Sequence, residues 1–233
     1  MSTHIDRSVF HQCYAKVDQA QRQSLYAFRT QHPPKHWEHD GVQWHYATLG
    51  RGDSTVLFLP GAVGSYYIWW QQLLALAENF KLISFDYPSL RSMEGLQSGL
   101  NAIFRKEGVE QFHIVGSSMG GYVAQYLASA QPDRLLSATF ANTFVPTMPL
   151  FRTTPFLRLA ISVFPLRLTH TIYHLYSQHR LVPSGGQDAL LEAYLLEFSH
   201  AGLGKRDFLA RLSCITQTFT PLPVDDQTFP ILL

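Results

Sequence analysis

The strongest constraint on the fold is an alternation of apolar runs and amphipathic segments between residues 56 and 144. The apolar runs are VLFLPG (56–61), KLISFDYP (81–88), QFHIVG (111–116) and LLSATFANTF (135–144). Segments with helical spacing separate them, at 65–79, 95–108 and 120–132. Strands that alternate with helices form a parallel sheet with helices on both faces and right-handed crossovers. The sequence therefore predicts an α/β fold with a mostly parallel central sheet and flanking helices.

The segment before this alternation predicts a helix and a hairpin. Residues 7 to about 30 place apolar side chains at helical spacing and end before Pro33-Pro34. We expect one surface helix there, within an N-terminal segment 1–34. The runs KHWEHD and VQWHYATLG then meet at Asp40-Gly41, a dipeptide typical of two-residue hairpin turns. The core, residues 35–144, is therefore predicted to open with a hairpin.

The remainder of the chain is predicted to be a helical insertion and a return to the core. Between 145 and 222, apolar helical pieces are separated by prolines at 146, 149, 155 and 165, and two further helical segments follow. We interpret 145–222 as a helical cap. Residues 223–233 resume a buried core strand at Pro230.

Composition excludes several classes of protein. With 46% hydrophobic and 15% charged residues the chain is not disordered, and its formal net charge of +1 gives no argument for nucleic acid. Nowhere do about eighteen apolar residues run together, so we expect no transmembrane span. The N-terminus has no apolar signal-peptide core, and Cys13 and Cys214 form no disulfide framework. A cytoplasmic location is the expectation.

The sharpest motif is Gly116-Ser117-Ser118-Met119-Gly120-Gly121, between an apolar strand and a helix. Gly-x-Ser-x-Gly in that setting is typical of a nucleophile elbow, in which a strained turn exposes the serine hydroxyl. Ser118 is thus the candidate nucleophile, flanked by Gly116 and Gly120, and the Met119 amide is a candidate oxyanion donor. The alternatives are an ordinary glycine-rich turn and a phosphate-binding loop, although the lysine of a P-loop is missing.

A second oxyanion donor is expected after the run 56–61. Pro60-Gly61-Ala62-Val63-Gly64-Ser65 joins a strand end to a helix start, and a glycine there allows close approach of the backbone. The backbone amide of Ala62 is the candidate donor. An ordinary turn is the alternative.

The elbow, the oxyanion loop and the strand order together resemble the α/β-hydrolase fold superfamily over residues 36 to about 144. Leu59-Pro60-Gly61 stands where many relatives have His-Gly, and Phe85-Asp86-Tyr87-Pro88 stands where many have an Asp-x-x-Gly-x-Gly turn. The Tyr-Pro dipeptide and Ala141-Asn142-Thr143-Phe144 are similar to the maspardin-like branch, whose members are linked to protein binding as well as hydrolysis.

The resemblance implies a catalytic acid after a late strand and a histidine after the last one. Those positions would follow Leu233, so we expect a C-terminally truncated hydrolase and assign neither the triad acid nor the histidine. An acid after an earlier strand would fall at Asn142, which is not a carboxylate. The acids after Ser118 are Asp133, Asp188, Glu192, Glu197, Asp207, Asp225 and Asp226, and the histidines are His170, His174, His179 and His200.

No metal and no cofactor are predicted. His170 and His174 share a helical face at metal-ligand spacing, but no third ligand is evident and their segment is apolar. Each histidine is read instead as a surface or satisfied interior residue.

Three interpretations of the insertion remain open: a cap over the active site, a lipid-contacting surface and a surface for a protein partner. As a cap it would line an apolar pocket with Phe151, Phe156, Leu157, Ile161, Phe164 and Tyr173. Arg152, Arg158, Arg167 and Arg180 among these apolar residues would suit anionic lipid.

The sequence favours a serine hydrolase that acts by acyl transfer on a small or medium hydrophobic ester-like substrate. The alternatives are a non-catalytic, maspardin-like interaction protein and an inactive truncated hydrolase.

Overall fold

The described residues form one seven-stranded sheet. The computed structural model describes residues 6–145, 148–201, 203–221, 223 and 228–232, and of residues 148–152 and 201 it describes the backbone alone. The strands are β1 Lys35–His39, β2 Val42–Leu49, β3 Ser54–Leu59, β4 Phe80–Asp86, β5 Phe112–Ser117, β6 Leu135–Ala141 and β7 Ile231–Leu232. Their order is β1-β2-β4-β3-β5-β6-β7. The pairs β1–β2 and β2–β4 are antiparallel and the others parallel, which confirms the mostly parallel sheet.

Helices lie on both faces of the sheet. The α-helices of the described residues are α1 Arg7–Cys13, α2 Gln19–Gln31, α3 Trp70–Leu76, α4 Met93–Glu107, α5 Met119–Ala130, α6 Met148–Val163, α7 Leu166–Tyr176, α8 Val182–Ser184, α9 Ala189–Ala201 and α10 Lys205–Ile215. Side chains of β3 alternate between two apolar clusters: Leu57 and Leu59 pack with α4 and α5, while Val56 and Phe58 pack with α1, α2 and α3. Because both faces are covered, the strand reads as a continuous apolar run.

The predicted hairpin is confirmed. His39 of β1 pairs with Val42 of β2, so Asp40 and Gly41 alone make the turn. Their φ angles are 50° and 71°, and a type I′ turn requires positive φ at both central residues.

The N-terminal segment differs from the predicted single surface helix. It contains two helices, because the carboxylate of Asp18 accepts hydrogen bonds from the amides of Ala20 and Gln21 and caps a new helix at α2. Phe10 and Tyr14 are fully buried against the core cluster instead of lying on the surface.

Two other elements also differ in detail from the prediction. The helix expected at 65–79 begins as a 3₁₀ turn, Tyr66–Trp69, before α3. The expected late strand is β7, which pairs with β6, but its Leu232 is exposed because β7 has a neighbour on one side only among the described residues. Asp225, Asp226 and Leu233 lie outside those residues.

Among the described residues the region 145–222 is mostly helical, and it is tied to the core on both faces of the sheet. On one side, Glu197 of α9 accepts hydrogen bonds from the hydroxyls of Tyr14 and Tyr67. On the other, Gln217, just after α10, accepts from the amide of Met93 and the hydroxyl of Tyr122. Within the described part of the chain, none of the helices has the length and apolarity to cross a bilayer.

Candidate active site

Ser118 lies in the sharp turn between β5 and α5. Its backbone has φ 54° and ψ −120°, a conformation that residues other than glycine rarely adopt. The residue is exposed, whereas Met119, which begins α5, is buried. Strain of this kind concentrates at functional sites, where the surrounding structure holds it in place.

Residues at the end of β6 and just after it hold this turn. The amide of Ser118 donates to the carbonyl of Ala141 at 3.1 Å. The hydroxyl of Thr143 donates to the carbonyl of Ser118 at 2.8 Å. Both backbone polar groups of Ser118 are therefore fixed by the neighbouring strand end, which leaves its side chain as the group free to react.

The predicted elbow glycines stand where backbone segments touch. A Cβ on Gly116 would lie 2.3 Å from the carbonyl oxygen of Gly120. A Cβ on Gly120 would lie 2.1 Å from the carbonyl oxygen of Leu59. The first turn of α5 therefore packs directly on the end of β3, the strand that carries the loop with Ala62.

The loop after β3 comes next to the elbow. A Cβ built on Gly61 would be 3.6 Å from the Cβ of Ser118. The loop is closed by a hydrogen bond of 3.0 Å from the amide of Gly64 to the carbonyl of Gly61. Ala62 is partly buried and packs against the cluster that contains Met119. The two candidate oxyanion residues therefore lie on adjoining segments at the carboxyl edge of the sheet.

Asp86, at the end of β4, fixes the exit of that loop. Its carboxylate accepts a hydrogen bond of 2.8 Å from the amide of Tyr66, and the hydroxyl of Ser84 donates to the carbonyl of Tyr66 at 3.1 Å. Burial raises the pKa of Asp86, while the Tyr66 amide and the charge of His45 oppose that rise.

None of the described histidines forms a hydrogen bond with Ser118. His170 places its two ring nitrogens on the carbonyls of Ser199 and Leu203, at 3.0 and 2.9 Å. The Nδ1 of His200 contacts the carbonyl of Leu196. No catalytic base for Ser118 is therefore identified among the described residues.

Three of the described acids after Ser118 are engaged in other contacts. Asp188 caps α9 through the amide of Leu191, and Glu192 pairs with Lys16. Asp207 accepts from the amide of Gly204. Asn142 is exposed with φ 45°. Among the described residues no cluster of three possible metal ligands occurs.

Several residues expected to line a cap pocket are exposed. Phe156 is 76% exposed, and Leu157 and Phe164 are each 47% exposed, whereas Ile161 is buried. Tyr173 is partly buried, and the side chains of Phe151 and Arg152 lie outside what the structure describes. These phenylalanine and leucine side chains consequently form an open apolar surface rather than the wall of a closed pocket.

The comparisons with known proteins agree with this architecture. The model of the alpha/beta hydrolase family matches residues 56–229. The chain belongs to the alpha/beta hydrolase family. This alpha/beta hydrolase is 37% identical over 112 residues to the dihydrolipoyllysine-residue acetyltransferase component of the acetoin cleaving system of Cupriavidus necator, across 44% of the chain and 30% of the relative.

Maspardin is among its relatives, as the sequence predicted. Maspardin of Danio rerio is 28% identical over 95 residues, across 40% of this alpha/beta hydrolase and 30% of the relative. The chain thus spans about a third of the length of these two proteins. A solved hydrolase from Pseudomonas aeruginosa matches with a TM-score of 0.65 at 17% identity, covering 79% of this chain and 73% of that one. This structural similarity shows that the two proteins share a fold.

Some residues of the site could not be recognised from the sequence. Thr143 and Asp86 hold the elbow and the loop through contacts between elements that are 25 and 20 positions apart. Both residues lie in segments that the sequence singled out by resemblance, Phe85-Asp86-Tyr87-Pro88 and Ala141-Asn142-Thr143-Phe144. No spacing rule assigns their contacts, because the sheet order alone brings them to the site. The signal for Asp86 was its place at the end of an apolar strand.

Proposed function

We propose that this protein is a serine hydrolase that acts by acyl transfer on a small or medium hydrophobic ester-like substrate. The observation that carries the proposal is the strained, exposed Ser118 beside Gly61. The hydroxyl of Ser118 would attack the carbonyl carbon of the substrate, and the amides of Met119 and Ala62 would stabilise the oxyanion. The proton of that hydroxyl passes to a base, to which we assign no residue. Collapse of the tetrahedral intermediate then breaks the ester C–O bond, the alcohol leaves with a proton, and water hydrolyses the acyl-enzyme to release the acid and restore Ser118.

The turn supports this chemistry for two reasons. The first amides of a helix have no acceptor within the helix, and the helix dipole favours negative charge at that end, where Met119 lies. Losing one such oxyanion donor costs about 3 kcal/mol of transition-state stabilisation. No cofactor is required, because acyl transfer to a serine needs only a nucleophile, a base and oxyanion donors.

The helical region 145–222 is proposed to cover this site as a cap. One of its ties to the core is Tyr67, which follows the loop of Ala62, and the other is made through Met93 and Tyr122. Since these residues follow strands β3, β4 and β5, the proposal is that helices α9 and α10 reach across the carboxyl edge of the sheet on which Ser118 lies.

Labelling with a fluorophosphonate probe tests the proposed nucleophile. We expect the wild-type protein to be labelled and Ser118→Ala to lose the label. Ser117→Ala is the matched control, since it changes the adjacent serine of the same motif, and it should still be labelled. Absence of labelling in the wild-type protein, or persistence of the label in Ser118→Ala, would contradict the proposal.

A second candidate is a non-catalytic interaction protein, as the maspardin resemblance implies. The open apolar surface that includes Phe156, Leu157 and Phe164 favours it, because large exposed apolar patches often mark interaction sites. A partner bound equally by the wild-type protein and Ser118→Ala, together with no esterase activity, would support this candidate over hydrolysis.

A further inference from the structure

Three buried polar atoms without a hydrogen-bond partner lie in one neighbourhood outside the elbow. They are the hydroxyl oxygens of Tyr87 and Tyr173 and the Nη1 of Arg211, among five such atoms in the described residues. We call these three residues the Arg211 cluster. Buried polar groups in folded proteins nearly always have hydrogen-bond partners. Three unpartnered atoms close together therefore indicate a binding partner that belongs between them.

The members of the Arg211 cluster come from three different elements. Arg211 lies in α10 and is 7% exposed. Its guanidinium carbon is 5.9 Å from the ring of Tyr87, which follows β4, and 5.9 Å from the ring of Phe198. The ring of Tyr173 in α7 is tilted against that of Phe198, with 5.0 Å between the ring centroids. The cluster therefore lies where the helical region meets the end of β4.

Neither of the nearest acids neutralises Arg211. Asp86 and Asp207 both act on it electrostatically, but none of the described carboxylates forms an ion pair with it. Asp207 accepts instead from the amide of Gly204 and the hydroxyl of Ser89, and Asp86 accepts from the amide of Tyr66. Burial lowers the pKa of Arg211, which is the signature of a cation that lacks full compensation.

The cluster faces the same edge of the sheet as the elbow. Tyr87 is buried in the apolar cluster that contains Met119, and Ala62 packs against that cluster. A molecule held by Arg211 and the two tyrosines would therefore lie on the side of the sheet where Ser118 is exposed.

We propose that Tyr87, Tyr173 and Arg211 form a subsite for the carboxylate of a small molecule. Resting on the proposed function, this makes the substrate an ester that also carries a carboxylate. A guanidinium binds a carboxylate through two parallel hydrogen bonds, and the two phenols donate to its remaining lone pairs. One negative charge balances one buried positive charge, whereas a phosphate dianion would leave excess charge beside Asp86 and Asp207.

Two probes of equal size and different charge test the subsite. Isothermal titration with 4-phenylbutanoate and with 4-phenylbutanamide compares an anion with its neutral analogue, and neither compound is an ester. We expect the wild-type protein to bind the carboxylate about 30-fold more tightly, the effect of one desolvated charge pair. Arg211→Met should abolish this preference, and Tyr173→Phe should weaken binding of the carboxylate by several-fold.

Arg206→Met is the matched control, because Arg206 is an exposed arginine of the same helix, and it should keep the preference for the carboxylate. Arg211→Met without ligand should unfold at or above the wild-type temperature, since it removes an unpaired buried charge. If Arg211→Met unfolds below that temperature, the titration is repeated with Tyr87→Phe and Tyr173→Phe. The proposal is overturned if both of these variants keep the full wild-type preference for the carboxylate over the amide.

Equal affinity for the two probes, no binding of the carboxylate, or a preference that survives in Arg211→Met would also overturn the subsite. Such results would mean that water satisfies the three atoms. Because the titration needs no turnover, its failure is distinct from a failure of Ser118 to react with the fluorophosphonate probe.

Discussion

Gly120, in the first turn of α5, lies against the carbonyl oxygen of Leu59. A Cβ on Gly120 would be only 2.1 Å from that oxygen. This contact joins the helix that follows Ser118 to the strand that carries the loop of Ala62. The relative position of Ser118, the proposed nucleophile, and Ala62, the proposed second oxyanion donor, therefore depends on a residue without a side chain.

Gly120→Ala should disturb both stability and reactivity. A methyl group there must displace backbone, so we expect a loss of about 1–3 kcal/mol in the free energy of unfolding and greatly slowed fluorophosphonate labelling. Urea unfolding and labelling rates measure the two effects. Gly204→Ala is the control, because its Cβ would meet only an oxygen of Asp207 at 3.4 Å. Normal labelling of Gly120→Ala would contradict the role given to this contact.

Thr143→Val should loosen the elbow without opening a cavity. The variant keeps the shape of the side chain but loses the hydrogen bond to the carbonyl of Ser118, worth about 1 kcal/mol. We expect a drop of that size in the free energy of unfolding and labelling slowed by several-fold. Thr143→Ser retains the hydroxyl and should label faster than Thr143→Val. Equal labelling rates for the two variants would be evidence against a positioning role.

Glu197→Gln should be costly because it leaves a buried cation without its partner. The carboxylate pairs with Arg29 at 2.8 Å, and both side chains are 10% exposed. We expect a loss of about 3 kcal/mol in the free energy of unfolding, measured with urea. The double variant Glu197→Gln with Arg29→Met should recover part of that loss.

Glu192→Gln serves as the control for Glu197, since it removes an ion pair from the same helix to Lys16, whose side chain is 73% exposed. Its cost should be about 0.5 kcal/mol or less. Similar costs for Glu192→Gln and Glu197→Gln would show that burial of the Glu197 network contributes nothing.

Glu107 should make stability depend on acid pH. Burial acts to raise the pKa of Glu107, but hydrogen bonds from Lys35 and Tyr46 and the charges of Lys35 and Lys81 outweigh it, and the net shift is downward. A carboxyl with a lowered folded pKa contributes stability above its unfolded pKa, and that contribution is lost as pH falls through the folded pKa.

The wild-type protein should therefore exceed Glu107→Gln by about 1–2 kcal/mol in the free energy of unfolding at pH 6, the worth of charge-assisted hydrogen bonds. The difference should shrink steadily as the pH is lowered below about 4.5, near the pKa of an unperturbed glutamate. Urea unfolding at a series of pH values measures it. A difference that stays constant across that range would exclude the ionised carboxylate as its source.

The chain's local patterns determined the architecture. Apolar runs alternating with helical segments predicted the mostly parallel sheet, Asp40-Gly41 predicted the hairpin, and the glycine-flanked serines predicted a sharp turn at Ser118. Each of these signals acts over a few residues, since hydrophobic spacing and positive φ preferences are local properties of the backbone. The break in the N-terminal helix was missed because the cap at Asp18 competes with the same apolar spacing.

Only the tertiary structure decided which distant side chains meet. Tyr14 reaches Glu197 across 183 positions, Thr143 reaches the carbonyl of Ser118, and Arg211 comes beside Tyr87. No periodicity relates such residues, because their proximity follows from the order of the strands and the path of the helices over them. The physical reason is that spacing fixes the face on which a side chain lies, whereas packing of one element on another fixes what that face touches.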